Sequence, residues 1–281
     1  MIDTEELIDQ AARILAGRRW TCLTGAGIST DSGIPDYRGP DSPRANPMLY
    51  SEFTGVEENR QRYWARSFLG WQRMDRAIPN AGHRALAELT SYGMNGLITQ
   101  NVDGLHEEAA AAVASSGPIV DLHGRIDRVI CLNCHQLTDR AAYQDRLREL
   151  NPDVHSDEPL GHAELRPDGD AVVDDWSHFR VAPCLNCGGI LKPDVIFFGE
   201  SVPKERVQSA YALVEESEVL LVAGSSLTVM SGLRFARHDA KQGKPVIIIN
   251  RGATRADDLS AVKIDAGTSE VLRAIRRQLA Q

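Results

Sequence analysis

The 281-residue sequence has no apolar run long enough to cross a bilayer, which predicts that the chain does not enter a membrane. It also lacks an excess of basic residues. Its formal net charge of −8 argues against non-specific binding to nucleic acid. The N-terminus, MIDTEELIDQ, has neither the apolar centre of a secretory signal nor the arginines of a transit peptide. We therefore expect a cytoplasmic protein without a membrane or nucleic-acid partner.

Cysteines are few, five in all, and four of them stand in two pairs with the same spacing. Cys131 and Cys134 form one C-x-x-C pair, and Cys184 and Cys187 form the other. In a reducing compartment this pattern indicates a metal site and not disulfides. Four thiolates on two tight turns give a closed tetrahedral zinc site. We predict one structural Zn²⁺, and we expect Cys22 to be a core residue.

Short β-prone runs alternate with helical stretches along most of the chain. The clearest runs are at 20–23, 95–99, 118–122, 219–223 and 246–249. This alternation predicts an α/β fold: a Rossmann-type doubly wound parallel sheet with a smaller zinc-binding and helical domain inserted. We assign residues 1–45, 80–127 and 190–281 to the sheet domain. The small domain then combines a helical insertion at 46–79 with a zinc module at 128–189.

A glycine-containing loop, TGAGISTDSGIPDYR at residues 24–38, follows the first strand. Gly25 and Gly27 flank Ala26, so the backbone there can approach a ligand without Cβ hindrance and can adopt positive φ. Amides exposed at such a turn bind anions such as a pyrophosphate. Thr30 stands where a dinucleotide fingerprint has its third glycine. An ordinary strand-to-helix turn is therefore the alternative interpretation.

Polar clusters follow several other predicted strands. They comprise Gln100 to Asp103, His123 with Gly124, Gly224 to Ser226, and Asn250 to Gly252. Ligands of an open parallel sheet bind at the carboxyl ends of its strands, so these clusters are candidate binding residues. Asn and Asp also serve in turns and helix caps, which is the alternative. A lone histidine is more often a packed residue, but His123 has a pKa suited to a general base.

The ordered set of motifs resembles one family. TGAGIS, GIPDYR, TQNVDGLH, LHG, the two C-x-x-C pairs, FFGE, GSSL and the strand end at Asn250 occur in that family's order from about residue 20 to 272. The sequence resembles the sirtuins, which are NAD-dependent protein lysine deacylases. RYWARSFLGW and CGGILKPDVIFFGE are most similar to the class II branch, which includes a mitochondrial lipoamidase/ADP-ribosyltransferase-type member. The resemblance implies NAD as co-substrate, acyl-lysine proteins as substrates and one zinc.

The resemblance also implies roles for individual residues. His123 would be the general base, and Asn101 and Asp103 would orient water and the nicotinamide carboxamide. NAD contacts are expected at Gly25, Ala26, Gly27, Ser29, Ile34, Pro35, Asp36, Tyr37, Arg38, Gln100, Asn101, Val102, Asp103, Gly224, Ser225, Ser226, Asn250, Arg251, Gly252 and Thr268. The substrate peptide would pair as an added strand with Val195, Phe197, Phe198, Gly199 and Glu200.

The reaction implied by the resemblance releases nicotinamide when the acyl-lysine oxygen attacks C1′ of the ribose. A ribose hydroxyl deprotonated with the help of His123 then attacks the imidate carbon, and water releases free lysine and O-acyl-ADP-ribose. Two other functions stay open. One is protein mono-ADP-ribosyl transfer, and the other is a non-enzymatic, NAD-sensing zinc protein. The oligomeric state is also open, a monomer included.

Tyr63 and Arg66 are candidate residues for selecting the acyl group of the substrate. Their Tyr-x-x-Arg spacing matches a sirtuin branch in which this pair binds an acyl carboxylate, and positions three apart share a helix face. The resemblance then implies a preference for succinyl- or glutaryl-lysine, because the guanidinium fork suits a carboxylate. The alternative is a surface arginine beside a packed tyrosine. Three departures from the family pattern are Tyr37 in place of Phe, Gly39-Pro40 in place of Ser, and the 49 residues between the cysteine pairs.

Overall fold

The structure, a computed structural model of the chain, describes residues 3–37, 47–113, 117–154 and 176–281. Its strands, in chain order, are β1 (Trp20–Thr24), β2 (Met94–Thr99), β3 (Ile119–Asp121), β4 (Gly124–Cys131), β5 (Leu137–Asp139), β6 (Leu191–Val195), β7 (Val219–Ala223), β8 (Val246–Ile249) and β9 (Val262–Ile264). Its helices are α1 (Thr4–Leu15), α2 (Tyr50–Gly55), α3 (Glu57–Asp75), α4 (Ala81–Leu89), α5 (Leu105–Ala112), α6 (Arg140–Leu150), α7 (Lys204–Glu215), α8 (Met230–Lys241) and α9 (Thr268–Leu279).

Six of the strands form a parallel sheet in the order β3-β2-β1-β7-β8-β9. The order reverses between β1 and β7, which makes this pair the topological switch point of a doubly wound sheet. The loops that leave Thr24 and Ala223 therefore emerge side by side at the carboxyl edge. Both strands are buried along their whole length, as expected for a parallel sheet covered by helices on both faces.

Two apolar clusters lie on the two faces of this sheet. Trp20 and Leu221 belong to the cluster that includes side chains of α1, α4 and α9. Leu23 and Leu220 belong to the opposite cluster, with side chains of α7 and α8. Cys22 is fully buried in the first cluster, and burial raises the pKa of its thiol. Its predicted place in the core is confirmed.

A second, antiparallel sheet has the strand order β5-β4-β6. The helices α2, α3 and α6 pack on it, and the three helices and the sheet share a single apolar cluster that includes Phe53, Trp64, Phe68 and Tyr143. The aromatic-rich stretch from residue 54 to 75 indicates either a helical unit with a small core of its own or a wall of a binding pocket, and the structure shows that it shares its core with the zinc module. We call this unit the small body.

Several sequence-based boundaries differ from the structure. The residue pattern from Thr54 to Asp75 predicts one helix, but Val56 is extended and separates α2 from α3 within this range. Asp3 and Glu6 have the spacing of a capping box, but the Asp3 side chain accepts no hydrogen bond from the first amides of α1, so the predicted capping box is wrong. The apolar run from Val195 to Phe198 is compatible with a strand or an extended segment, and the structure places the strand earlier, at Leu191–Val195. The boundary predicted between residues 127 and 128 falls inside β4.

Some predictions concern residues that the structure does not describe. They are those at Arg38, at Gly39-Pro40 and in most of the acidic stretch 151–177. Among the residues it describes, no helix combines the length and the apolar character that a membrane span requires.

Candidate active site

A cavity of about 1250 Å³ opens at the carboxyl edge of the large sheet and extends to the small body. Most of the predicted contact residues line it. They are Gly25, Ala26, Gly27, Ser29, Ile34, Asp36, Tyr37, Tyr63, Gln100, Asn101, Val102, Asp103, His123, Val195, Phe197, Phe198, Gly199, Glu200, Gly224, Ser225, Ser226, Asn250, Arg251 and Gly252. Pro35, Arg66 and Thr268 are not among its lining residues.

The two glycines of the first loop have a role that the sequence did not reveal. The Gly27 amide donates to the Gly224 carbonyl at 2.8 Å. A Cβ on Gly27 would lie 2.9 Å from that same oxygen, and one on Gly25 would lie 2.8 Å from Cβ of Ser225. The glycines therefore let the loops after β1 and β7 touch each other. Gly25 has a φ of −142° and Gly27 is not among the positive-φ glycines, so neither uses the conformational freedom that the sequence offers; Gly224, on the neighbouring loop, has a positive φ of 68°.

Ser29 connects the two polar loops through a buried hydrogen-bond network. Its hydroxyl donates to Asp103 Oδ2 at 2.7 Å and accepts from Asn101 Nδ2 at 3.0 Å. A third partner, His83 Nε2, lies 3.4 Å away. Burial raises the pKa of Asp103, and hydrogen bonds from Ser29 and from the Leu105 amide oppose that shift. The network orients the carboxylate and the carboxamide toward the cavity.

His83, which the sequence analysis did not select, lies in the first turn of α4. The side chain of Asn80 caps this helix, and the backbone amide of Asn80 donates to His83 Nδ1 at 3.3 Å. Because Nδ1 accepts, the ring carries its proton on Nε2 and donates it to Ser29. Burial lowers the pKa of His83 to about 4, so the ring is neutral near neutral pH. Its only sequence signal was the helix-cap residue three positions earlier.

His123 follows β3 and lines the cavity wall. Its Nδ1 donates to the Gln100 carbonyl at 2.9 Å, which leaves Nε2 as the acceptor nitrogen, 2.8 Å from Ser231 Oγ. Burial is the main cause that lowers the pKa of His123 to about 4, and Arg206 and Arg234 lower it further. The imidazole is therefore neutral near pH 7 and can take up a proton at Nε2. Ser231, in the first turn of α8, had no recognisable sequence signal.

The segment 195–200 borders the cavity directly after β6. The Ile196 amide donates to the His123 carbonyl at 2.8 Å, so this segment is tied to the backbone of the histidine. On the other side, the Tyr50 amide donates to the Phe198 carbonyl at 2.9 Å. Glu200 uses Oε2 to accept from the Phe197 amide at 2.9 Å and from Lys192 Nζ at 3.1 Å. Both hydrogen bonds that Glu200 Oε2 accepts therefore come from residues of β6 and of the segment 195–200.

Tyr63 and Arg66 occupy different environments. Tyr63 is 3% exposed, and its ring centroid lies 5.1 Å from that of Phe197 and 5.4 Å from that of Phe53. The guanidinium carbon of Arg66 lies 5.8 Å from the ring centroid of Trp176. Of the pair, only Tyr63 lines the cavity.

The four paired cysteines converge at one end of the small body. Their sulfur atoms all lie within 4.8 Å of one another, and Cys131 Sγ is 3.5 Å from Cys187 Sγ. Sulfurs about 2.3 Å from a tetrahedral zinc are separated by about 3.8 Å, so this arrangement fits the ion. Backbone and side-chain donors, the Gln136 amide first, lower the pKa of Cys134 to about 6, which favours a thiolate ligand. The predicted structural zinc site is confirmed in its geometry.

The doubly wound sheet, the contact between glycine loops at its switch point and the zinc-binding body define a Rossmann-type protein with an inserted zinc domain. A family model described as "Sir2 family" matches residues 25–231, and the chain belongs to this family. The predicted sirtuin membership is therefore confirmed. The class II assignment stays a prediction.

Relatives with established names cover nearly the whole chain. "NAD-dependent protein deacetylase 1" of Mycobacterium avium (strain 104) is 55% identical over 95% of this chain and 93% of the relative. "NAD-dependent protein deacylase SIR4" of Monosiga brevicollis is 45% identical over 99% and 91%. A solved structure, "Sir2-p53 peptide-NAD+", is 27% identical with a TM-score of 0.73 and 98% coverage of both chains. Another Sir2 enzyme structure is 30% identical with a TM-score of 0.75 at the same coverage.

Proposed function

We propose that this protein is an NAD-dependent protein-lysine deacylase that transfers the acyl group to ADP-ribose and releases nicotinamide and free lysine. One observation carries the proposal: a neutral histidine lies in the cavity where the glycine loops and the segment 195–200 meet. Its Nδ1 is bound to the Gln100 carbonyl, and its backbone carbonyl accepts from Ile196. A protein that only sensed NAD would have no need of a base held in this way.

The cavity has the size and chemistry for NAD together with an extended peptide. Its volume of about 1250 Å³ exceeds the range of roughly 300–1,000 Å³ that is typical of single small-molecule sites. We assign the dinucleotide to the contact between the loops at Gly27 and Gly224, with Asn250 and Arg251 on the adenosine side. NAD supplies an electrophilic ribose carbon when nicotinamide leaves. The solved "Sir2-p53 peptide-NAD+" structure supports this arrangement by its likeness in fold.

The proposed work of the residues follows from their hydrogen bonds. His123 accepts a proton at Nε2 while the Gln100 carbonyl holds Nδ1, so the tautomer does not change before the proton arrives. Asn101 and Asp103 are held in fixed orientations by Ser29, which suits them to position a carboxamide and a water molecule. Positioned groups of this kind contribute through orientation, because the reacting atoms need no further ordering.

For the acyl group, the geometry supports an aromatic pocket more directly than a carboxylate clamp. Tyr63 and Phe197 form one wall of the cavity, whereas the guanidinium of Arg66 lies over Trp176. We therefore propose that neutral acyl groups such as acetyl are accepted. The preference for succinyl or glutaryl groups that the Tyr-x-x-Arg spacing implies stays a prediction. If Arg66→Ala slowed the removal of acidic acyl groups and left deacetylation unchanged, the carboxylate clamp would be correct.

Mass spectrometry of the purified protein with NAD and a panel of acylated lysine peptides tests the proposal. The panel carries acetyl, succinyl, glutaryl, long-chain and lipoyl groups. We expect NAD-dependent loss of an acyl group with a matching O-acyl-ADP-ribose product, and its loss in His123→Ala. ADP-ribose attached to protein without deacylation would favour the mono-ADP-ribosyltransferase. No consumption of NAD with any peptide would favour the sensor.

A further inference from the structure

A buried ion pair lies directly behind the segment 195–200. Lys192, the second residue of β6, is only 3% exposed, and its ammonium group lies 3.1 Å from Glu200 Oε2. The same ammonium donates to the Val195 carbonyl. Glu200 Oε2 accepts a second hydrogen bond, from the Phe197 amide at 2.9 Å. The ion pair between Lys192 and Glu200 therefore links two positions that are eight residues apart in the chain.

The pair also fixes the side chains of the segment. The Lys192 ammonium lies 4.9 Å from the ring centroid of Phe197 and 6.0 Å from that of Tyr50, within the range of cation–π attraction. Phe197 in turn packs against Tyr63 and Phe53. The ammonium therefore contacts both the Phe197 ring and the backbone of the segment 195–200, and it helps to fix the position of each. Lys192 itself is not among the residues that line the cavity.

Burying a charge is costly, so a buried pair that only filled space could be replaced by apolar side chains of similar volume without loss. Here the burial lowers the pKa of Lys192, and Glu200 opposes that shift by stabilising the charged form. Besides each other, the two charged groups bind two backbone groups of the loop: the Lys192 ammonium donates to the Val195 carbonyl, and the Glu200 carboxylate accepts from the Phe197 amide. Apolar replacements would leave these backbone groups without their charged partners.

We propose that Lys192 and Glu200 are positioning residues that set the shape of the peptide-binding segment and of the acyl pocket, so that this ion pair determines affinity for the acyl-lysine peptide. The inference rests on the proposed deacylase function. It reassigns Glu200 from a contact with the peptide to a support of the loop that binds it. Within the part of the chain that the structure describes, no hydrogen bond of the pair reaches the glycine loops or the imidazole of His123, although the segment binds the His123 backbone carbonyl through the Ile196 amide.

The test compares Lys192→Met, Glu200→Gln and the double variant with the wild type, using an acyl-lysine peptide and NAD. A displacement of about 1 Å can cost on the order of 10²-fold in kcat/KM, and we expect each single variant to lose between about tenfold and this amount. The loss should lie in the peptide KM, with kcat nearly kept, because the chemistry at His123 is untouched. NAD affinity, measured without peptide, should change less than about twofold.

The double variant provides the decisive comparison. If the pair acts as a unit, removing both charges leaves neither one unpaired, and the combined loss in kcat/KM should be smaller than the product of the two single losses. Lys192→Arg, which keeps the charge, should recover part of the peptide affinity. Peptide binding measured by fluorescence polarisation without NAD gives the same ranking independently of turnover.

Lys244→Met is the matched control. Lys244 is also partly buried and donates to two backbone carbonyls, those of Val214 and Glu215, and it lies before β8, at the amino edge of the large sheet, away from the carboxyl edge where the cavity opens. Its removal should lower thermal stability without changing the peptide KM. A Lys192→Met protein that is folded, binds NAD and has the wild-type peptide KM would overturn the inference. A wild type that deacylates no peptide would instead refute the proposed function on which it rests.

Discussion

We predict that the protonation of His83, a buried histidine next to the active site, lowers the stability of the protein in acid. His83 is fully buried and neutral, with a pKa lowered from 6.5 to about 4, chiefly by burial. The unfolded chain takes up a proton on this residue below about pH 6.5, whereas the folded chain does so only near pH 4. His83 therefore contributes stability that is fully present above pH 6.5 and is lost as the pH falls toward 4.

The size of this effect follows from the two pKa values. With a pKa of 6.5 in the unfolded state and about 4 in the folded state, His83 alone removes about 2 kcal/mol from the free energy of unfolding by pH 5. The loss approaches about 3 kcal/mol near pH 4. His106, whose ring centroid lies 4.7 Å from that of His83, has a pKa shifted in the same direction. It adds to the loss in the wild type, and burial, the main cause of its shift, is also present in His83→Gln.

Urea unfolding at about pH 7.5 and about pH 5 measures the effect. His83→Gln keeps an amide donor and an acceptor but cannot titrate, so its free energy of unfolding should fall by about 2 kcal/mol less over this interval than that of the wild type. Zinc loss at low pH is common to both proteins and cancels in the difference. His178→Gln, at an exposed histidine, should behave like the wild type. If wild type and His83→Gln lost stability in parallel, His83 would not be buried in the neutral form.

Three further predictions concern the site. His123→Ala should lower kcat on the order of 10²–10⁴-fold, with NAD affinity kept, as measured by steady-state kinetics and calorimetry. Gly27→Ala should lose ~1–3 kcal/mol of stability, since its Cβ would lie 2.9 Å from the Gly224 carbonyl. Gly55→Ala, with open space around it, is the control and should change thermal stability little. Cys184→Ser should release the zinc, detected by metal analysis, and destabilise the small body by several kcal/mol.

Much of the large sheet could be predicted because its strands are nearly continuous apolar runs. Val219–Ala223 and Val246–Ile249 are buried at every position, and both strands lie within one residue of where the sequence placed them. A parallel strand buried on both faces is a continuous apolar run, which is easy to recognise in a sequence, and the polar residues that follow mark its end. The same regularity located the clusters at Gln100, His123 and Gly224, which line the cavity together.

The partners of those residues could not be predicted, because they come from distant parts of the chain. Ser29 and Asp103 meet through the pairing of β1 with β2, and Ser231 reaches His123 from a helix 108 residues away. No local pattern encodes such contacts. The glycine pair shows the same limit, since the sequence indicated the need for small residues there but not the contact with the loop after β7. The neighbouring loop at Gly224 occupies the space that a Cβ would need.

His123 also lies where the chain passes from one sheet to the other. Asp121 ends β3 in the large sheet, and Gly124 begins β4 in the small body, with a φ of 81° that suits glycine. A Cβ at Gly124 would fall 1.9 Å from the Asp194 carbonyl, so only glycine allows β4 to pack against β6 here. The histidine is therefore bound from both sides of the junction, since its Nδ1 donates to the Gln100 carbonyl after β2 and its own carbonyl accepts from the Ile196 amide after β6. These two hydrogen bonds hold the base between the polar loop of the large sheet and the segment 195–200.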